Sequence, residues 1–194
     1  VFQGAPLRKL IDRFVTDDMV ASVAKEAATG RLLLVGTTNL DREETQIWNL
    51  GAIAMQGGPK ARDLFRDVLV ASASVPGVFP PVMIEVQDNG RTFQEMHVDG
   101  GASTPFFIAP DIAMILGFAP EALRGANIYV VVNAQSATMP RSTKNNTIDI
   151  EARSFTAVLH HMTRTSLAQT DAFAERNGMS FVFTVMPQNL AFDG

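Results

Sequence analysis

The sequence predicts a mixed α/β domain in which helices cover both sides of a mostly parallel central sheet. Short apolar runs of strand length alternate with longer segments of helical periodicity, and this alternation is typical of layered α/β proteins. Residues 31–38 form a short apolar run that ends in small polar residues. Such a run is typical of a strand buried on both faces of a parallel sheet.

Helices are predicted where apolar residues recur at helical spacing after a capping residue or a proline. The predicted helices span residues 6–14, 16–30, 59 to before Pro76, 109–116 and 149–176. The predicted strands span residues 31–38, 44–50, 82–86, 92–98, 127–133 and 180–186. Residues 52–55 either extend the second strand or form a loop, and residues 135–146 have the polar composition of a loop.

Turn residues fix several boundaries. Thr16 has the character of a helix N-cap, and Asn177-Gly178 that of a left-handed helix end. Pro76-Gly77 and Pro80-Pro81 impose a bend that is not helical. The Asp88-Asn89-Gly90 turn joins the strands on either side into a hairpin. Since no repeat or linker interrupts the chain, one domain over residues 5–194 is predicted.

The composition restricts the classes of function. The chain has 194 residues, 46% of them hydrophobic, which suffices for one domain with a large core. It has no cysteine, so cysteine nucleophiles and cysteine-ligated metals are excluded within it. The formal net charge of -4 offers no basic face for nucleic acid. No apolar run approaches the roughly 18 residues of a membrane-spanning helix.

The strongest candidate for chemistry is the turn Asp99-Gly100-Gly101, which follows directly on a predicted strand. Two glycines let the backbone turn sharply and leave the carboxylate at the edge of a sheet. The plainer interpretation is that Asp99 only opens a turn, because Asp-Gly is a common turn dipeptide.

The serines offer no recognisable nucleophile. Ser72, Ser74 and Ser103 lie nearest to the glycine turn, but none sits in G-x-S-x-G, the strained turn that exposes a catalytic serine. The phosphate-binding and dinucleotide-binding glycine motifs are also missing from the sequence. No cofactor is therefore predicted.

Metal binding is not predicted either. His97 and Asp99 are two residues apart on one strand, so their side chains share a face and could share a proton or a metal, but no third ligand is in register. His160 and His161 are adjacent on the long helix, so their side chains point about 100° apart around the helix axis and cannot bind the same ion. Both histidines are predicted to be polar residues of the helix face.

Two motifs in this order resemble the C-terminal half of a patatin-like phospholipase domain. The first is the run Ala71 to Pro81, with the sequence ASASVPGVFPP, and the second is Val98-Asp99-Gly100-Gly101. The strand that ends in Thr37-Thr38-Asn39-Leu40-Asp41 is similar to the family as well. The resemblance covers most of the chain, and the two motifs together are more specific than either alone.

The resemblance implies a lipid acyl hydrolase with a three-layer α/β/α sandwich, a lipid or ester substrate and transient contact with a membrane surface. In this family the aspartate of Asp-Gly-Gly activates a serine in G-x-S-x-G. The resemblance therefore implies that Asp99 is the dyad aspartate and that Gly100 and Gly101 shape its turn. Aspartate is a weak base, with a pKa of about 3.9 in solution, so it must be held against the hydroxyl in a sheltered site.

An approach for the acyl chain is expected beside this turn. The residues expected to line it, for which core packing is the alternative, are Val78, Phe79, Pro80, Phe106 and Phe107.

The chain departs from the family pattern in two ways. It lacks the glycine-rich oxyanion loop and the G-x-S-x-G serine, which lie N-terminal to the matching segment in the family. Residues 5–194 are therefore expected to be the C-terminal portion of a larger domain, incomplete at the N-terminal side and inactive alone, with the serine on a companion N-terminal polypeptide. The family also commonly has Asn-Pro after the glycine turn, whereas this chain has Ser103-Thr104-Pro105.

Residues 1–4 are similar to a cloning or cleavage remnant and are set aside.

Two alternatives stay open at this point. The chain could be a non-catalytic binding domain of the same fold, or Ser72 or Ser74 could replace the missing nucleophile. The compartment is not fixed by the sequence: the resemblance fits a secreted or cell-envelope protein, and a cytoplasmic one is compatible.

Overall fold

The structure is a computed structural model that describes residues 4–88, 90–104, 120–135 and 142–186. Its helices are α1 (Ala5–Phe14), α2 (Asp17–Ala28), α3 (Leu50–Gln56), α4 (Gly58–Ser72), α5 (Pro120–Leu123) and α6 (Thr147–Arg176). Its strands are β1 (Leu34–Asn39), β2 (Glu44–Asn49), β3 (Val82–Asp88), β4 (Arg91–Asp99), β5 (Asn127–Gln135) and β6 (Ser180–Met186). A 3₁₀ helix, Gly100–Ala102, follows β4. The predicted helix at 109–116 and residues 136–141 of the predicted loop lie outside the described residues.

The predicted helix ends are confirmed. Thr16 caps α2, because its side-chain oxygen accepts a hydrogen bond from the Met19 N–H at 3.2 Å. At the far end of α6, Gly178 has a φ of +64°, the left-handed conformation that the Asn177-Gly178 pair predicts. Of the helices in the described residues, none combines the length and apolar character that crossing a membrane requires.

Four strands form an antiparallel sheet in the order β2-β1-β4-β3. The predicted hairpin is confirmed as β3 and β4, which pair from Val82↔His97 to Asp88↔Arg91. β1 lies inside the sheet, where Thr37 faces Asp99 across the β1–β4 ladder. The second half of β1 therefore lies beside the end of β4, where the candidate turn begins.

The mixed α/β class is confirmed, but the prediction of a mostly parallel central sheet is wrong for this sheet. The apolar sequence of β1 correctly indicates burial, since residues 36–39 are buried. It does not indicate direction, because an inner strand can be buried in an antiparallel sheet as well as in a parallel one. Residues 40–43 alone connect β1 to β2, and a parallel crossover needs about a dozen residues or more.

The core of this part of the chain lies between the sheet and the helices α3 and α4. Leu50, Phe65 and Val68 have no exposed surface, and each such side chain contributes about 1.5–3 kcal/mol by leaving water. Residues 52–55 belong to α3, so the prediction of a strand extension or a loop is wrong. The side chain of Asn49 accepts a hydrogen bond from the Ala52 N–H at 2.9 Å and starts the helix directly after β2.

By its contacts the chain divides into two units, Val1–Phe106 and Phe107–Gly194. In the second unit β5 and β6 are parallel, starting at Asn127↔Ser180, and α6 connects them. This pair has the parallel arrangement that the alternating sequence predicts, because a helix of this length provides the crossover. One domain over residues 5–194 remains a prediction.

Candidate active site

The carboxylate of Asp99 is held by the turn that follows β4. Asp99 caps the 3₁₀ helix, and its Oδ1 accepts a hydrogen bond from the Gly101 N–H at 2.7 Å. The side chain is half-buried, and this burial raises the pKa of Asp99 above its ordinary value of 3.8, although the Gly101 N–H opposes the shift. The carboxylate is therefore both fixed in direction and a stronger base than a solvated aspartate.

Both glycines of the motif lie where a side chain would make a close contact. A Cβ atom on Gly100 would lie 2.5 Å from the carbonyl oxygen of Gly36 in β1, which is backbone and cannot swing aside. A Cβ atom on Gly101 would lie 3.0 Å from Oδ1 of Asp99. Gly100 thus lets the turn close onto β1, and Gly101 leaves room for the carboxylate.

The two sequence motifs meet at the backbone of Asp99. Its N–H donates a hydrogen bond to the carbonyl oxygen of Ser74 at 3.0 Å. Ser74 belongs to the segment that ends α4 and leads into the proline-rich bend. The two sequence motifs are therefore in direct contact in the folded chain.

Two of the candidate serines are already engaged. Ser74 is 1% exposed, and its hydroxyl donates to the carbonyl oxygen of Val70 at 2.8 Å. The hydroxyl of Ser103 lies 2.8 Å from the hydroxyl of Thr38 and 2.8 Å from that of Thr45. Ser72 is half-buried at the end of α4. Neither engaged serine is thus presented as a free nucleophile.

The residues expected at the acyl approach differ in exposure. Val78 is 55% exposed, whereas Phe79 and Pro80 are half-buried. The N–H groups of Val78 and Phe79 both donate to the carbonyl oxygen of Val75, which closes the bend. Phe106 and Phe107 lie outside the described residues. The lining role of all five residues remains a prediction.

His97 is a buried residue of the sheet with partners other than Asp99. Its Nδ1 lies 2.9 Å from Oγ1 of Thr37, which also accepts a hydrogen bond from the indole N–H of Trp48 at 2.8 Å. Its Nε2 has no hydrogen-bond partner and lies 3.8 Å from a carboxylate oxygen of Glu95. Burial lowers the pKa of His97 despite this neighbouring carboxylate, so the ring stays neutral at pH 7.

Sequence reasoning missed the polar cluster around Glu95. This buried carboxylate accepts hydrogen bonds from Asn39 Nδ2 at 2.8 Å and from Arg42 Nε at 2.6 Å. Asp41 accepts from the N–H of Met96 at 2.7 Å, which ties the β1–β2 turn to β4. The Asn39-Leu40-Asp41 sequence after β1 was the one visible signal, and it indicates a turn rather than a network. This cluster ties the end of β1 and the β1–β2 turn to β4, the strand that carries Asp99.

His160 and His161 lie on α6, as predicted, and line a surface groove of about 650 Å³ together with Arg153 and Arg164. They belong to the second unit of the chain. Among the residues that the structure describes, no group of three His, Asp or Glu side chains is arranged to hold a metal ion.

The comparisons with known proteins agree with the family resemblance. A family model described as Patatin-like phospholipase matches residues 1–110, more than half of the chain, and this match includes the Asp99 turn and the proline-rich bend. No curated protein and no solved structure matches the chain significantly. The chain belongs to the patatin-like phospholipase family.

Proposed function

We propose that this chain is the aspartate-bearing part of a lipid acyl hydrolase that cleaves carboxylic esters through a Ser-Asp dyad. Asp99 acts as the general base, and the nucleophilic serine lies outside these 194 residues. Family membership supports a lipid substrate. The observation that carries the proposal is the geometry of Asp99, a half-buried carboxylate oriented by the Gly101 N–H at a glycine turn.

The hydrogen bond to Gly101 supports different roles for the two carboxylate oxygens in this proposal. Within the described part of the chain, Oδ1 is the oxygen that accepts a hydrogen bond, which leaves Oδ2 to receive a proton from a serine hydroxyl. Burial supports this step because it raises the pKa of Asp99 and so increases its proton affinity. The serine would then attack the ester carbonyl, and Asp99 would pass the proton to the departing alcohol as the acyl-enzyme forms. In the second step Asp99 would take a proton from water, which attacks the acyl-enzyme, and would return that proton to the serine as the acid is released.

The serine is proposed to come from an N-terminal companion segment with the G-x-S-x-G motif and the oxyanion loop. The sequence supports this because it contains neither motif. The contacts of Ser74 and Ser103 support it as well, since both hydroxyls are already hydrogen-bonded. We propose that this segment completes a three-layer α/β/α sandwich of which residues 5–194 are the C-terminal portion.

The bend at Val78, Phe79 and Pro80 is proposed to line the approach of the acyl chain. It follows Ser74, whose carbonyl oxygen binds the Asp99 N–H, so it begins close to the proposed base. The exposed side chain of Val78 offers apolar surface there. Transient contact of this surface with a lipid layer is part of the proposal.

Hydrolysis of a p-nitrophenyl ester tests this function. We expect no hydrolysis above background by the 194-residue chain, and measurable hydrolysis by a longer protein that joins it to the upstream G-x-S-x-G segment. The reason is that a base without its nucleophile cannot form the acyl-enzyme. A longer protein with both motifs and no esterase activity would favour a non-catalytic binding domain of the same fold, and full activity of the 194-residue chain would disprove the external serine.

A further inference from the structure

Four hydroxyl side chains form a hydrogen-bonded row that ends at the backbone of Asp99. Oγ1 of Thr104 lies 2.9 Å from Oγ1 of Thr45, which lies 2.8 Å from Oγ of Ser103. Oγ of Ser103 lies 2.8 Å from Oγ1 of Thr38, which lies 2.9 Å from the carbonyl oxygen of Asp99. The row joins the neighbouring strands β1 and β2 to the segment after the 3₁₀ helix, which is more than 50 residues further along the chain.

The direction of the row follows from the number of protons. Each hydroxyl donates once, and a carbonyl oxygen can only accept, so Thr38 donates to Asp99. Ser103 must then donate to Thr38, Thr45 to Ser103, and Thr104 to Thr45. Longer contacts of Thr38 and Ser103 with the Gly100 carbonyl oxygen, at 3.4 and 3.5 Å, compete for the same protons and also end at the turn. Hydrogen bonds that point one way along a chain strengthen one another.

A second connection from the same residues reaches the carboxylate itself. The carbonyl oxygen of Gly100 accepts hydrogen bonds from the N–H groups of Thr104 at 2.9 Å and Ser103 at 3.2 Å. The N–H of that same peptide group, on Gly101, donates to Oδ1 of Asp99. Hydrogen bonds accepted by the carbonyl oxygen polarise the peptide group and make its N–H a stronger donor. The backbone of Ser103 and Thr104 therefore supports the one hydrogen bond that orients the carboxylate.

Thr45 is the residue on which this support depends. It is half-buried in β2, opposite Thr38 in the β1–β2 ladder, and its hydroxyl contacts both Ser103 and Thr104. It lies in β2, whereas Asp99 lies in β4, on the far side of β1. Without the Thr45 hydroxyl, the segment after the turn would lose both of these hydrogen bonds to β2.

We propose that Thr45 is a positioning residue, which holds the Asp99 carboxylate in its reactive direction through the hydroxyl row and the Ser103-Thr104 backbone. The inference rests on the proposed function, because a positioning role presupposes that Asp99 is the base. A base must be held within about 0.5 Å of its productive position, and a turn tied to two neighbouring strands meets that need better than a free one.

The test compares Thr45→Val, which removes the hydroxyl at nearly constant volume, with Thr45→Ser, which retains it. In the 194-residue chain we expect Thr45→Val to speed hydrogen exchange of the Gly101 amide by about tenfold, the loss of roughly one hydrogen bond. We also expect it to raise the pKa of Asp99 in an NMR titration of its carboxyl carbon, because a weaker Gly101 bond stabilises the charged form less. Thr45→Ser should restore both values.

The matched control is Thr29→Val, which removes a hydroxyl that donates to the Glu26 carbonyl oxygen at 2.7 Å, away from the site. It should leave the Gly101 amide and the Asp99 titration unchanged. If Thr45→Val does not fold, Ser103→Ala interrupts the same row and takes its place. A folded Thr45→Val with unaltered exchange and titration, or a Thr45→Ser that behaves like it, would overturn the proposal.

These measurements need no serine, so they separate this inference from the proposed function. Should Asp99→Asn leave ester hydrolysis intact, the dyad fails, while the coupling of Thr45 to the carboxylate is still measured. In the longer protein Thr45→Val should lower kcat by about tenfold at an unchanged KM, and Thr45→Ser should restore kcat.

Discussion

Asp99→Asn is expected to lower kcat for ester hydrolysis by about 10²–10⁴-fold in a longer protein that supplies the serine, with little change in KM. The amide oxygen of asparagine can still accept the Gly101 hydrogen bond, so the turn is retained, but the amide cannot take the serine proton. Steady-state hydrolysis of a soluble ester measures the effect. Asp18→Asn, an exposed position in α2, is the matched control and should retain full activity. Full activity of Asp99→Asn would contradict the assignment.

The same substitution should stabilise the chain at neutral pH. Because burial raises the pKa of Asp99, the folded chain keeps its proton at a pH where the unfolded chain has lost it. The free energy of unfolding therefore falls as the pH rises from the ordinary pKa of 3.8 through the raised pKa of the folded state. Asparagine does not ionise, so its advantage should grow over that range.

Urea denaturation at pH 3 and at pH 7 measures this difference. We expect the free energy of unfolding of Asp99→Asn to exceed that of the original chain by more at pH 7 than at pH 3. That result would show that the ionised carboxylate lowers stability, as expected for a group that is kept for its function. An advantage that does not change between pH 3 and pH 7 would contradict a raised pKa of Asp99. An advantage that is smaller at pH 7 would show that Asp99 is an ordinary turn residue, since a turn aspartate gains stability by ionising beside a donor.

Gly100→Ala is expected to lower the free energy of unfolding by about 1–3 kcal/mol, as overpacking of a closed site does. The new Cβ would meet the carbonyl oxygen of Gly36 at 2.5 Å, so either the turn or β1 must move. Movement there would also disturb the Thr37↔Asp99 pairing. Urea denaturation at pH 7 provides the measurement.

Gly101→Ala is the informative comparison for this prediction. Its Cβ would contact a side-chain oxygen of Asp99 at 3.0 Å rather than backbone, so the carboxylate can shift by a few tenths of an ångström. We expect a smaller loss of stability than for Gly100→Ala. Equal stability of Gly100→Ala and the original chain would contradict the close approach of the turn to β1.

Local signals predicted most of the elements, because turn and capping residues act over a few positions. The β3–β4 hairpin follows from Asp88-Asn89-Gly90, and the end of α6 from Asn177-Gly178. Strand direction in the first sheet could not be predicted in the same way. The burial of β1 is common to parallel and antiparallel neighbours, and the short connection at residues 40–43 was the signal that distinguishes them.

The candidate site was predictable only in part. Asp99 and its glycines follow from adjacent residues and from the family resemblance. The hydroxyls of Thr38, Thr45 and Ser103 meet only when three segments fold together, so no spacing in the sequence reveals them. The sequence departs from the family pattern at Ser103-Thr104, where the family commonly has Asn-Pro. In the structure both residues form hydrogen bonds that connect the glycine turn to neighbouring segments.

The most direct test of the central claim, that Asp99 serves a nucleophile outside these residues, is to map the serine that a fluorophosphonate labels. We expect mass spectrometry to find no adduct on the 194-residue chain alone, and in the longer protein a single adduct on the upstream serine of G-x-S-x-G. An adduct on Ser72, Ser74 or Ser103 would contradict the claim, because the nucleophile would then lie within this chain.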